Sequence, residues 1–290
     1  MVASGLVVGL ATGGFPILSK EISQIALVFA MTFSLMEISF AGISLRSELR
    51  SVGLSLLMSY GVLSAIVLVF AYLDPDPSLH DGWVLMAAVP PAVAVVPITS
   101  YLKGDTRRAL ISLAILCLLG LVAVPIITLG FTRQTVPVAD LVVQTVVLVG
   151  VPIAASRPLR GWPRLAKFRP SIVGVSFFVL VLAIAGSTRG PLLSRSDLIV
   201  SLALLSFART FGSGTAVFAT AQMLRLPRED RVALTAFASF KNLGLAVVLA
   251  FAVFGPTATL PAIVSLVFEI LWLAALPFLF RAATTKGAGS

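Results

Sequence analysis

Residues 232–254 read VALTAFASFKNLGLAVVLAFAVF, a 23-residue apolar run with a single lysine, Lys241, near its middle. As a helix rising about 1.5 Å per residue, the run is long enough to cross the ~30 Å hydrocarbon core of a bilayer. A lysine at that depth costs roughly 2.5–3.5 kcal/mol on insertion scales, and such residues face a cavity or a partner. Ser239, Asn242 and Gly244 interrupt the apolar pattern around it, where a membrane helix can unwind. Lys241 is therefore the first candidate functional residue. The structural alternative is a lysine that snorkels or is paired inside a helix bundle.

The rest of the chain has the same character. Of its 290 residues 58% are hydrophobic and 11% charged, which is outside the range of soluble globular domains and makes it an integral membrane protein. Apolar runs of this length must be helices, because lipid offers the backbone amides no partners and the runs are too continuous for barrel strands. The chain begins Met-Val-Ala-Ser without a basic stretch, so the first run is expected to be a retained span and not a cleaved signal. Cys117, the one cysteine, sits inside an apolar run and reads as a small core residue.

Charge and turn signals divide the chain into ten expected spans, at 2–18, 22–45, 52–73, 82–102, 109–131, 136–155, 171–186, 198–224, 232–254 and 257–280. When the links are alternated between two faces, fifteen of the 21 Lys and Arg fall on one face and four (Lys20, Arg133, Arg189 and Arg195) on the other. Arg209 and Lys241 lie inside spans. By the positive-inside rule the rich face is cytoplasmic, which puts both termini in the cytoplasm; the expected location is a bacterial inner membrane. The net charge of +9 follows from this topology together with a general attraction to anionic lipid, and no nucleic-acid partner is expected.

Spans two to five recur in spans seven to ten at an offset of roughly 145–150 residues, and five spans per half require the halves to insert with opposite orientation. The expected fold class is an all-α membrane protein of two inverted five-helix repeats, residues 1–135 and 136–282, with a cytoplasmic tail at 283–290. This is the plan of many secondary transporters, whose binding sites lie at the midplane between interrupted helices in matching positions. Spans four and nine match. Span four holds VPPAVAVVPITS at 89–100, and its prolines 90, 91 and 97 each remove an amide donor, so it is expected to break as span nine does.

The stretch from Pro91 to Asp105, ending Thr99-Ser100-Tyr101-Leu102-Lys103-Gly104-Asp105, and the stretch from Phe237 to Ala246, with Asn242-x-Gly244-Leu245-Ala246, resemble the fourth- and ninth-helix motifs of the bile acid:sodium symporter family. The resemblance covers nearly the whole chain. It implies a core of spans three, four, five, eight, nine and ten moving against a panel of spans one, two, six and seven, and uptake of organic anions with sodium. The departures are at the implied sodium ligands. Val96-Pro97 stands where the family places a Ser-Asn pair, Phe237 where it places a glutamate, and Lys241 where it places a glutamine. Two apolar groups, a proline and a cation cannot form a shell of oxygen donors, so sodium sites are not expected. The ammonium of Lys241 is expected to take the vacated volume and charge, to help hold an anionic substrate, and to link its protonation to transport.

Glu37 in span two, Arg209 in span eight and Glu269 in span ten complete the ionisable residues within spans, and with Lys241 they sum to zero, which permits pairing in more than one arrangement. The candidate substrate- or ion-binding set is thus Lys241, Asn242, Ser239, Pro97, Thr99, Ser100, Arg209, Glu269 and Glu37. Ser100-x-x-Lys103 lacks the companion motifs of a catalytic serine, and no phosphate loop or dinucleotide fingerprint occurs, so neither an enzyme nor a cofactor is expected. His80 with Asp74, Asp76 and Asp81 is too sparse for a zinc site and reads as a solvated polar loop. A carrier of a small organic anion is the leading reading, with proton, sodium or no coupling open; a channel and a non-transporting sensor are the alternatives.

Overall fold

The computed structural model describes residues 2–15, 17–36, 45–194 and 196–287; Glu37, one of the candidate residues, lies outside them. The first two helices are α1 (Val2–Thr12) and α2 (Ser19–Leu35). Helix α3 (Leu45–Leu56) runs through a π-helical stretch, Leu57–Leu63, into α4 (Ser64–Leu73). Then come α5 (Pro77–Ala88), α6 (Val95–Tyr101) and α7 (Thr106–Phe131). Helix α8 (Val138–Thr145) continues through a π stretch, Val146–Gly150, into α9 (Val151–Leu159), and α10 (Pro163–Ser194) follows. In the same manner α11 (Ser196–Phe207) passes through a π stretch, Ala208–Gly212, into α12 (Ser213–Met223). The chain closes with α13 (Arg228–Phe237), α14 (Leu243–Phe254) and α15 (Leu260–Gly287). Among the described residues six helical stretches are long and apolar enough to cross a membrane.

Two layers pack against each other. In one, α10 lies along α1 and α2, and α2 along α9. Small residues allow the close approach. A Cβ on Gly9 would come within 2.7 Å of the Leu182 carbonyl oxygen, and one on Gly186 within 2.3 Å of the Gly14 amide. The other layer is built around α5 and α14, both almost wholly buried, with α4, α7, α13 and α15 about them.

Both expected interruptions are present. Span four breaks at 89–94 between α5 and α6, around Pro90-Pro91, while Pro97 falls in the first turn of α6, where a missing amide costs nothing. Span nine breaks at 238–242 between α13 and α14. The breaks cross. Ala92 N donates to Phe240 O at 3.3 Å and Asn242 N to Pro90 O at 2.9 Å, so Pro91 and Lys241 pair as a single antiparallel bridge.

One expectation is overturned. Residues 74–81 are not a solvated loop: α5 begins at Pro77, and His80 and Asp81 are buried. The Asp76-Pro77 pair is a helix start. Asp76 accepts from Ser78 N at 2.9 Å and Leu79 N at 3.3 Å, and Pro77 is the first helical residue. Asp81 is then held inside by Arg133 N at 2.8 Å and Gln134 N at 3.2 Å, with His80 Nδ1 3.1 Å away.

The described contacts group the basic links. Arg108 reaches Glu48, Arg228 Nε donates to Leu102 O, and Arg157 Nη2 donates to Leu35 O, all at helix ends that meet arginine-rich links. At the opposite ends Arg133 Nη1 donates to Asp74 O, Arg189 Nη1 to Ala11 O, and Lys20 Nζ to Ala252 O.

Candidate functional site

The crossing brings four helix ends to one place: the C-termini of α5 and α13 and the N-termini of α6 and α14. Each end leaves backbone groups without intrahelical partners, and each must be satisfied locally in a buried site. Asn242 caps α14, its Oδ1 accepting from Leu245 N at 3.1 Å, while its Nδ2 donates to Met31 Sδ at 3.2 Å across to the other layer. Ser213 Oγ donates to Ala238 O at 2.9 Å just past the end of α13.

Lys241 caps α5. Its Nζ donates to Ala87 O at 3.0 Å and Val89 O at 2.9 Å, carbonyls of the α5 C-terminus, and to Ser64 Oγ at 2.9 Å. The side chain is fully buried, and the Tyr60 ring lies 4.4 Å from Nζ to its centroid. Three acceptors satisfy the three donors of an ammonium, the negative end of a helix dipole favours its charge, and the ring face adds a cation–π contact. Ser64 is placed to serve either protonation state. Its hydroxyl also reaches Ala87 O at 2.6 Å, and it can donate to Nζ when the amine is neutral.

Glu269 meets Lys241 through the backbone: Lys241 N donates to its Oε1 at 3.1 Å, and the same oxygen pairs with Arg209 Nη2. Arg209 lies in the π stretch after α11 and is wholly buried, and Glu269 is its one acceptor among the described contacts. Of the arrangements the sequence left open, Glu269 takes Arg209. Ser239 lies behind the crossing, its Oγ donating to Thr235 O at 2.7 Å.

A cavity of about 570 Å³ opens between the two layers on the side of the crossing away from α5. One end is bordered by Ser34, Leu110 and Arg169, beside arginine-rich links, and the far end by Ala185 and Ile263. From Arg169 to Ala185 along α10 is about 24 Å. Pro97, Lys241, Asn242 and Glu269 of the candidate set line it. Thr99 and Ser100 do not. Thr99 is buried with its Oγ1 donating to Val95 O at 2.8 Å, and Ser100 faces outward. Beyond the far end the layers are tied by Lys20 Nζ, which donates to Ala252 O at 3.0 Å near the C-terminus of α14.

At the positions where the resemblance implies sodium ligands, Phe237 and Val96 are buried hydrocarbon, Pro97 offers no side-chain oxygen, and Lys241 is a cation already holding oxygens. These residues do not fit a sodium site. The sequence reading missed Tyr60, Ser64 and Arg169. Ser59, Tyr60 and Ser64 interrupt the apolar run of span three and were its one available signal.

The model of the SBF-like CPA transporter family matches residues 10–283, nearly the whole chain. No curated protein matches it.

Proposed function

Since the chain belongs to the SBF-like CPA transporter family, we propose that it is a secondary active transporter of a small organic anion in which the Lys241 ammonium stands where a coupling sodium ion would lie. The observation that carries this reading is the setting of Nζ among Ser64 Oγ, Ala87 O and Val89 O at 2.9–3.0 Å, beside the crossing of two broken helices. A small cation bound there would meet the same oxygens. A tethered cation supplies the charge without being released, so sodium is neither needed nor accommodated.

The finer architecture belongs to the same proposal. Counting each broken or π-interrupted helix as one passage gives ten spans in two inverted repeats. The recurrence of a π stretch at 57–63 and 208–212, and of a break at 89–94 and 238–242, supports it, because both offsets are about 150 residues. With the arginine-rich face cytoplasmic, in a bacterial inner membrane, the cavity opens inward and Lys20 closes the outer side. Proton coupling follows from the two hydrogen-bond arrangements open to Lys241 and Ser64, one for the ammonium and one for the amine.

The test is uptake of a panel of organic anions into proteoliposomes under an imposed sodium gradient, an imposed proton gradient, or neither. The proposal expects saturable, concentrative uptake that a proton gradient changes and a sodium gradient does not. Non-saturating flux would favour a channel, and binding without flux a sensor. Uptake driven by sodium would make the protein a sodium-coupled symporter built from oxygens outside the positions named here.

A further inference from the structure

One side of α3 and of the π stretch after it is polar in a span that is otherwise hydrocarbon. Glu48, Ser51, Ser55 and Ser59 follow one another at spacings of three and four, which sets them along one helix face. That face is turned inward. Glu48, Ser55 and Ser59 are buried and Ser51 is half-buried, while Leu49, Leu56 and Leu57 on the other side are exposed. In an uninterrupted α-helix the line would run on to Leu63. The π stretch takes in one more residue, with Ser64 N donating to Ser59 O five residues back, and so brings Ser64 onto the line instead. Ser64 Oγ is the side-chain oxygen that meets the Lys241 ammonium, at 2.9 Å.

Small residues alone would be explained by the close packing of α3 on α7. The orphaned atoms point further. Ser59 Oγ is fully buried and has no hydrogen-bond partner among the described atoms, and Glu48 Oε2 meets only Arg108 Nε, at 3.7 Å. A packing role would be better filled by alanine, which leaves no buried hydroxyl unsatisfied. Ser112, wholly buried on α7, widens the line, its Oγ 3.5 Å from that of Ser51. Groups four residues apart on a helix are about 6 Å apart along its axis, roughly two O–H···O lengths, so a single water joins each hydroxyl to the next.

We propose that this line is the proton path between the arginine-rich face and Lys241, with Glu48 as its entrance and Ser51, Ser55, Ser59 and Ser64 as its relay. Each hydroxyl accepts a proton from one side and gives up its own on the other, so no serine changes charge. The net transfer is from the Glu48 carboxyl to the neutral amine of Lys241, and discharge runs in reverse. At the entrance the charged neighbours are Arg108 of α7, itself 3.2 Å from Asp105, and Arg231 of α13, which packs against α3; Arg50 of α3 is exposed. Arg108 favours the ionised carboxylate, the form that takes up a proton. At the far end the charged groups about Lys241 are Glu269 and Arg209. The proposal rests on the proton-coupling reading above and gives it a route.

The experiment needs no substrate. Purified full-length protein is labelled with 15Nζ-lysine, the Lys241 signal is assigned by its absence in Lys241→Met, and exchange of the Nζ hydrogens is followed after transfer to D2O. Ser55→Ala and Ser59→Ala should each slow the exchange roughly tenfold, the rate equivalent of one hydrogen bond, and Glu48→Gln should slow it as well. Ser59→Thr, which keeps the hydroxyl, should exchange at close to the wild-type rate. Ser59→Ala should melt no lower than wild type, since its hydroxyl has no bond to lose. The two alanine variants are independent, so misfolding of one leaves the other to decide. Exchange unchanged by the alanine variants, absent in the wild type, or slowed equally by Ser59→Thr overturns the proposal. If exchange follows the serines but a proton gradient leaves uptake unaltered, the coupling reading fails and the path stands. If a proton gradient drives uptake while exchange ignores the serines, this inference fails and the coupling reading stands.

Discussion

Replacing Glu269 by Gln removes one charge and almost nothing else. The amide is the same size, and its oxygen can still accept from Lys241 N, which now donates to Oε1 at 3.1 Å. What is lost is the counter-charge of Arg209, a guanidinium with no exposed surface whose Nε and Nη1 have no hydrogen-bond partner among the described atoms. Breaking a buried pair by removing one partner costs about 3–5 kcal/mol. For a chain of this size that is a fall in melting temperature on the order of 10 °C. The assay is thermal unfolding of purified variants in one detergent. Arg209→Met alone should also destabilise, by stranding the carboxylate, and the double variant Arg209→Met/Glu269→Gln should recover most of the loss, since neither charge then remains. Lys241→Met combined with Glu269→Gln should add two costs and recover nothing, because Nζ bonds to Ser64, Ala87 and Val89 and not to the carboxylate. A Glu269→Gln melting temperature within about 2 °C of wild type, or recovery through Lys241 in place of Arg209, would refute this assignment of partners.

Gly82→Ala should reduce folded yield severely, because its Cβ would lie 2.1 Å from the Ala258 carbonyl oxygen, a backbone atom that cannot step aside; near-normal yield and melting would mean the α5 contact is looser than this. Burial first, and Arg133 second, push the His80 imidazole below its ordinary value, against the opposing pull of Asp81 and Asp74, with the Tyr72 ring 5.7 Å from it. A folded-state value below the unfolded one means that the fold binds fewer protons. The contribution of His80 is then fully present above about pH 6.5 and is lost as pH falls through and below it. Asp74, raised chiefly by burial, works in the opposite sense, so the readout is the difference between proteins: melting temperature between pH 7.5 and 5.5 should fall more in the wild type than in His80→Gln, and parallel curves would contradict it. Lys20→Met should loosen the layers at Ala252. With Cys117 replaced by Ala, a Val247→Cys thiol should react roughly two- to fivefold faster with an impermeant reagent added on the lysine-poor side, as expected from losing about 0.3–1 kcal/mol at a helix C-terminus, and an unchanged rate would show that Lys20 closes nothing.

The breaks in both crossing helices were legible because their causes are side chains: Pro90 and Pro91 delete amides, and Ser239, Asn242 and Gly244 weaken an apolar helix. The division into a basic and a sparse face was legible for the same kind of reason, since arginine position along the chain records topology. The surroundings of Lys241 were not. Two of its three acceptors are backbone carbonyls, which every residue possesses and no sequence pattern marks, and the third, Ser64, is 177 residues away. Likewise, two acids and two bases that sum to zero fit several pairings, and only the π stretch that turns Arg209 toward α15 makes Glu269 its partner. Arg169 was counted with the loop arginines because charge near a span end has an ordinary explanation; its place on the cavity depends on how α10 faces the crossing. The start of α5 was misread although Asp76-Pro77 carried the signal, because three aspartates and a histidine in eight residues look like solvent until Arg133 and Gln134 fold over Asp81.

The central claim is that the ammonium of Lys241 replaces a coupling sodium ion, and sodium dependence of uptake is the measurement that bears on it most directly. Initial rates of anion uptake into proteoliposomes would be followed while external sodium is exchanged for choline at constant ionic strength and pH. The account predicts rates independent of sodium in the wild type, because the oxygens of Ser64, Ala87 and Val89 are already occupied by Nζ. A steep, saturable rise of the wild-type rate with sodium would contradict it.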